Sequence, residues 1–274
     1  MERDKVMINL NTLCIKIGLP VEVMRFIQGY ELEKQYMYYR FLMKSSSNKI
    51  ISYIGEENQE TLSGMDSLWY ALNAAVFSYF IYQEKGIPEK IFWDTMKCFT
   101  RFINEHKRSY GFYGFDRGYW TVRQLSLVLF RVGELEYEMG DEDGVKQIVI
   151  HVPSDADLST EKVVASIKMA KVFFGKYFDE YRDVRYMSGG WLLSPVIGNL
   201  ITSDSNIYKY RQLFDIGEED MEDNSYMEWV FNNFNGSLEN LPENTSLQKK
   251  VKEKVLEGVK IGAAFGYVKE EVFK

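Results

Sequence analysis

The stretch LSLVLFRVGELEYEMGDEDGVKQIVIHVP, residues 125–153, together with the apolar pattern that follows it to Phe178, decides the fold. Leu125, Leu127, Leu129, Leu135, Tyr137 and Met139 recur at period two, which places them on one face of a strand. Glu134, Glu136 and Glu138 fall on the other face. Gly140-Asp-Glu-Asp-Gly144 is turn chemistry. Ile148, Ile150 and Val152 alternate again, and Pro153 ends the second strand because it has no N–H to give to a ladder. After a polar loop, Val163, Ile167, Ala170, Phe174 and Phe178 repeat at helical spacing. Ser159 stands at the N-cap position, and Glu161 in the first turn suits the helix dipole. Strand, turn, strand, loop, helix is a unit with large apolar faces, which the rest of the chain must cover.

Bulk composition bounds the rest. The 274 residues suit one large domain or two small ones, and 46 % apolar with 15 % aromatic residues is ample for a core. A net charge of −7 lacks the positive footprint of a non-specific nucleic-acid binder. Both cysteines, Cys14 and Cys98, fall inside helix-like patterns, which reads as a reducing, cytoplasmic setting without a disulfide framework. The start Met-Glu-Arg-Asp-Lys leads into no apolar signal segment. The uncharged run Ser67–Gln83 is shorter than the roughly 20 apolar residues a membrane helix needs, so it reads as a buried helix. The glycosylation patterns at Asn235 and Asn244 are chance matches in such a chain.

Residues 1–110 read as helical. Val6, Leu10, Leu13 and Ile17 form one stripe, stopped by Gly18 and Pro20; shorter helices are expected over Val21–Gln28 and Leu32–Met43, before a loop at Ser45–Asn48. Met65, Leu68, Trp69, Leu72, Val76, Tyr79 and Phe80 form the strongest stripe, punctuated by Gly86 and Pro88. Phe92, Met96, Phe99 and Ile103 make the next. The glycine- and aromatic-rich run 109–119 marks a boundary between a helical domain over 1–115 and a mixed domain over 116–274. Beyond Phe178, strands are expected over Arg182–Leu193, Asn206–Ile216 and Ile261–Tyr267. Glu218–Asn224 reads as an acidic loop. Short helices are expected after Pro195 and over Ser225–Phe231. Thr245 with Gln248 is a capping-box pattern before a further helix. The class is therefore α+β: an all-helical N-terminal domain, then a mixed sheet with flanking helices.

Two histidines are the main candidates for proton chemistry. His106 sits near a helix end and reads as structural. His151 ends a strand on the side opposite the buried residues, beside a loop, where catalytic side chains are often mounted. No Cys or His pair has metal-ligand spacing. GxSxG, P-loop and GxGxxG patterns are absent. The three glutamates of the alternating comb face either solvent or a cationic partner. Trp191 follows two glycines and is placed to line a cleft.

His151-Val-Pro153, Phe173-Phe174, Trp191-Leu-Leu-Ser-Pro195, Ser205-Asn-Ile207, Leu241-Pro, Thr245-Ser-Leu-Gln248 and Gly258 with Gly262, in that order, resemble the GNAT-like acyltransferase family that carries a separate helical N-terminal domain. The resemblance covers roughly Asp116–Gly266. It implies acyl transfer from acetyl-CoA or another acyl-CoA to a small-molecule or peptide amine, with the thioester held between two splayed strands. Mapped here, the cleft lies by the strands ending at His151 and Trp191. The pantetheine arm runs past Gly189, Gly190 and Trp191, His151 is the candidate base, and Tyr208 the candidate acid for the leaving thiolate. The family's glycine-containing pyrophosphate loop is missing; Asp155 and Asp157 stand in its place and repel phosphate. Two readings stay open: an acyltransferase that binds coenzyme A in another manner, and a non-catalytic binding protein on the same scaffold. Neither names the acceptor or the oligomeric state.

Overall fold

The computed structural model describes residues 8–29, 64–232, 234 and 236–274. Val6, the helix expected over Leu32–Met43, the loop at Ser45–Asn48 and the Asn235 glycosylation pattern lie outside them. The chain divides into two compact units, Met1–Phe130 and Arg131–Lys274.

The described part of the first unit is built from helices: α1 Leu10–Lys16, α2 Val21–Gln28, α3 Met65–Glu84, α4 Glu89–Met96, α5 Cys98–Tyr110 and α6 Gly118–Leu125. Helix α3 is buried on most of its surface, with Leu68, Trp69, Leu72, Ala75, Tyr79 and Tyr82 all inside. A helix apolar all round belongs in a core. No helix among the described residues is long and apolar enough to cross a membrane. Cys14 and Cys98 are buried and unbridged, and burial pushes the Cys14 thiol up to about 12.

His106 has the structural role expected of it. It is buried in α5, its Nδ1 lies 3.0 Å from the Phe112 carbonyl oxygen, and its ring packs on Tyr110 and Phe112.

The sheet has six strands in the order β1-β2-β3-β4-β6-β5. They are β1 Leu129–Val132, β2 Leu135–Glu142, β3 Val145–His151, β4 Arg185–Gly190, β5 Phe214–Asp220 and β6 Ala263–Val268. The hairpin β2–β3 turns on Asp143 and Gly144, both at positive φ, the type I′ geometry that an Asp-Gly pair favours. Gly140 therefore lies inside β2 rather than in the turn. Strands β3 and β4 run parallel, joined through helix α7 Thr160–Tyr177; β4–β6 and β5–β6 run antiparallel.

Helix α7 buries Val163, Ile167, Ala170 and Phe174 against the face carrying Tyr137, Ile148, Ile150 and Tyr186. Ser166, fully buried, ties α7 to the β1–β2 turn: it donates to the Val132 carbonyl at 2.5 Å, accepts from Leu135 N at 3.2 Å and meets the Tyr137 hydroxyl at 2.8 Å. Helices α8 Pro195–Leu200, α9 Asn206–Arg211, α10 Tyr226–Phe231 and α11 Ser246–Leu256 complete the unit. The Thr245–Gln248 capping box forms in full at the start of α11.

Three sequence expectations change. The single strand read from Leu125 to Met139 is the end of α6, a turn with Leu127 at positive φ, β1, a turn at Gly133, and β2. The period-two leucines happen to span a helix end and two turns. The strand expected over Asn206–Ile216 begins only at Phe214; the residues before it form α9, because the Ser205 hydroxyl accepts from Ile207 N and caps a helix there. Tyr208 is accordingly on a helix, not a strand. Glu218–Asp220 belongs to β5 rather than to a loop, with a register shift between Ile216 and Glu219.

Candidate functional site

The parallel ladder between β3 and β4 runs through Gln147↔Arg185, Ile148↔Tyr186, Val149↔Met187 and Ile150↔Ser188, and no pair follows. Past that point each strand keeps only its outer neighbour. His151 pairs with Glu136 of β2, while Gly189 and Gly190 pair with Phe265 and Ala264 of β6. The two strands thus form a fork, open between His151 on one arm and the glycines on the other.

The crotch of the fork is pinned by a buried polar chain. Ser188 Oγ lies 3.3 Å from the Ile150 carbonyl oxygen and 2.9 Å from the Tyr210 hydroxyl. Ser188 has one hydroxyl proton and gives it to the carbonyl, so Tyr210 donates to Ser188. Both residues are buried, and burial holds the Tyr210 phenol well above its ordinary range. Tyr210 was not singled out from the sequence; only the capped helix brings it here. Residues two apart on a helix point about 200° apart. With Tyr210 facing the fork, Tyr208, half-buried, looks away from it.

Gly189 and Gly190 are glycines for different reasons. A Cβ at Gly189 would lie 2.3 Å from the Phe265 ring, which crosses the strand at that point. Gly190 has φ 125° and ψ −173°, a region open essentially to glycine alone, and this bend turns β4 into the 3₁₀ turn Trp191–Leu193. Gly190→Ala is expected to destabilise the protein by roughly 1–3 kcal/mol and to weaken anything bound in the fork; calorimetric unfolding checks the first effect and titration the second. Trp191 is half-buried and packs on the cluster of Ile197, Tyr226 and Phe231. The turn is clamped from α9, where Arg211 Nη1 donates to the carbonyls of Leu192 (2.9 Å) and Ser194 (2.8 Å).

On the other arm, His151 Nε2 lies 2.8 Å from Glu138 Oε2, with both side chains about three-quarters buried (25 % and 20 % exposed). Glu138 sits diagonally across the β2–β3 ladder on the face shared with His151. Glu136, directly opposite His151, is 2 % exposed. The glutamate comb is therefore not a solvent face. Glu138 meets the His151 ring, and Glu134 accepts the backbone N–H of Asp157 at 3.0 Å and lies 3.9 Å from the cationic Lys162 Nζ.

The loop between β3 and α7 leads into a helix N-terminus, and it holds carboxylates of its own. Asp157 accepts from Ser159 N at 2.9 Å and lies 2.7 Å from Lys162 Nζ. Those bonds, the lysine first, bring its carboxyl down to about 2. Asp155 takes Arg131 Nη1 on both oxygens, at 2.7 and 2.9 Å. Arg131 and Lys162 are thus both engaged with aspartates of this loop. Among the described residues, no group of three His, Cys, Asp or Glu side chains could hold a metal ion.

A cavity of about 370 Å³ opens elsewhere, at the start of β4, lined by Lys171, Asp183, Arg185, Tyr186, Tyr267 and Phe273. It lies at the opposite end of the strand from the fork. Its lining holds no histidine, whereas His151 stands at the fork.

The sequence matches two family models end to end: an N-acyltransferase N-terminal domain over residues 8–127 and a GNAT-like C-terminal domain over residues 129–268. No curated protein matches it significantly. Among solved structures, an acyltransferase in complex with decanoyl-CoA and teicoplanin superposes with a TM-score of 0.79 at 22 % identity, over 93 % of this chain and 86 % of that one. An acyltransferase in complex with CoA and 10C-teicoplanin gives 0.80 at 21 %, over 97 % and 89 %. The fold is thus shared almost throughout. With a match on each side of residue 128, the chain belongs to the family that joins an N-acyltransferase N-terminal domain to a GNAT-like C-terminal domain.

Proposed function

We propose that this protein transfers an acyl group from an acyl-CoA thioester to an amine, with the thioester lying in the fork between β3 and β4. The observation that carries this reading is the end of the parallel ladder at Ile150↔Ser188, with His151 on one arm and Gly189–Gly190 on the other. An extended pantetheine arm can pair with strand edges that have lost their partner. Gly189, Gly190 and Trp191 would line one side of it. A backbone N–H on the β3 edge beyond Ile150 would face the thioester oxygen as negative charge develops there. His151 takes a proton from the attacking amine; the new N–C bond forms, the C–S bond breaks, and the thiolate leaves and takes up a proton. Tyr208, turned away by its helix, has no part in this scheme.

The solved relatives support the donor class, since they hold decanoyl-CoA or CoA, and teicoplanin compounds make a peptide-like amine a reasonable acceptor class here. A cytoplasmic location belongs to the same proposal, in keeping with two buried, unbridged cysteines.

The carboxylates at the α7 N-terminus favour a second reading, a non-catalytic binding protein that has lost the nucleotide. Thermal unfolding with acetyl-CoA and with decanoyl-CoA separates the two. A ligand at a hundred times its Kd adds about 2.7 kcal/mol, which raises Tm by roughly 5–10 °C. Such a shift with either donor is expected. No shift with either at millimolar concentration favours the second reading.

A further inference from the structure

We infer that Glu138 is a positioning residue that fixes the tautomer of His151, keeping the ring proton on Nε2 and the lone pair on Nδ1. The inference rests on the reading of His151 as the base, and adds which atom of it acts and what sets that choice.

An ionised carboxylate accepts hydrogen bonds and donates none. Glu138 Oε2 lies 2.8 Å from Nε2, so a neutral His151 must carry its proton there. Nδ1 then has the lone pair, and is the atom that receives a proton from the amine. Once it does, the imidazolium has a carboxylate at hydrogen-bond distance to hold it. The placement is built into the sheet. Glu138 faces Val149 in the antiparallel register, one step diagonal from His151, so both side chains leave the same face of adjoining strands. The two-residue Asp143–Gly144 turn sets that register, and a slip of one residue would send Glu138 to the opposite face. Both side chains are about three-quarters buried, which shields the pair from competing water.

The chain has two histidines, so imidazole nitrogen spectroscopy is unusually direct. In ¹⁵N-labelled protein, long-range ¹H–¹⁵N correlations distinguish a protonated ring nitrogen from one with a lone pair. His151→Gln removes one of the two patterns and assigns the other. At a pH where the ring is neutral, wild type is expected to show Nε2–H and an unprotonated Nδ1 for His151. In Glu138→Gln that pattern is expected to become a tautomer mixture, while kcat falls about 10²-fold or more with KM unchanged. Wild-type His151 with its proton on Nδ1 overturns the inference, and so does a Glu138→Gln spectrum identical to wild type. The wild-type spectrum is decisive by itself, whether or not the variant folds. If the spectra behave as expected but His151→Ala keeps full activity, Glu138 still sets the ring and it is the acyl-transfer role of His151 that falls.

Discussion

His151→Ala lowers kcat for acyl transfer by about 10²–10⁴-fold, the usual weight of a positioned general base, and leaves the fold in place. The ring is about three-quarters buried but stands at the end of its strand on the face opposite the core residues Ile148 and Ile150, so its removal empties no part of that core. Circular dichroism and Tm close to wild type, with KM for the acyl-CoA little changed, are expected beside the lost turnover. A variant with wild-type kcat would remove the histidine from the reaction. A variant that unfolds would assign it to packing.

Phe174→Ala has the largest expected effect on stability. The side chain is wholly buried on α7, with ring contacts to Phe173 at 5.1 Å, Phe178 at 5.8 Å and Tyr137 at 6.4 Å. Emptying such a site costs about 3–5 kcal/mol, from lost burial and from the cavity left behind. For a protein of this length Tm should fall by roughly 6–20 °C. The same helix follows the loop after His151, so acyl-CoA binding should weaken as α7 loosens. A change under 1 °C would mean that α7 does not rest on the sheet through this residue.

What could be read from the sequence, and what could not, follows the range of the interactions involved. The cluster Gly140–Gly144 announces a turn through local backbone preference, and the hairpin is present but narrower, on Asp143 and Gly144 alone; Thr245 with Gln248 announces a helix start through two local hydrogen bonds, and both bonds form. The stripe Val163, Ile167, Ala170 and Phe174 carries its own period and is buried as read. His151 stands where alternation puts it, opposite Ile148 and Ile150. The failures arise where two local signals compete. Tyr208 and Tyr210 alternate like a strand, but the Ser205 cap imposes a helix and sends Tyr210, not Tyr208, to the fork. Leu127 has no local reason to take a positive φ, and its turn could not be foreseen. The glutamate comb looked free to face solvent because nothing local shows that His151 will lie diagonally across from Glu138. The fork itself is the least legible feature. Where a parallel ladder stops depends on two strands joined through a whole helix, and Gly189-Gly190 is the one local trace of it.

The central claim is that β3 and β4 part after Ile150 and Ser188 and that an acyl-CoA lies between them. Backbone hydrogen exchange, followed by mass spectrometry with and without decanoyl-CoA, tests it most directly. Slowed exchange confined mainly to peptides covering 150–154 and 188–193 is the predicted result. Unchanged exchange in both segments at saturating ligand, or protection only around the cavity at Lys171 and Arg185, would contradict it.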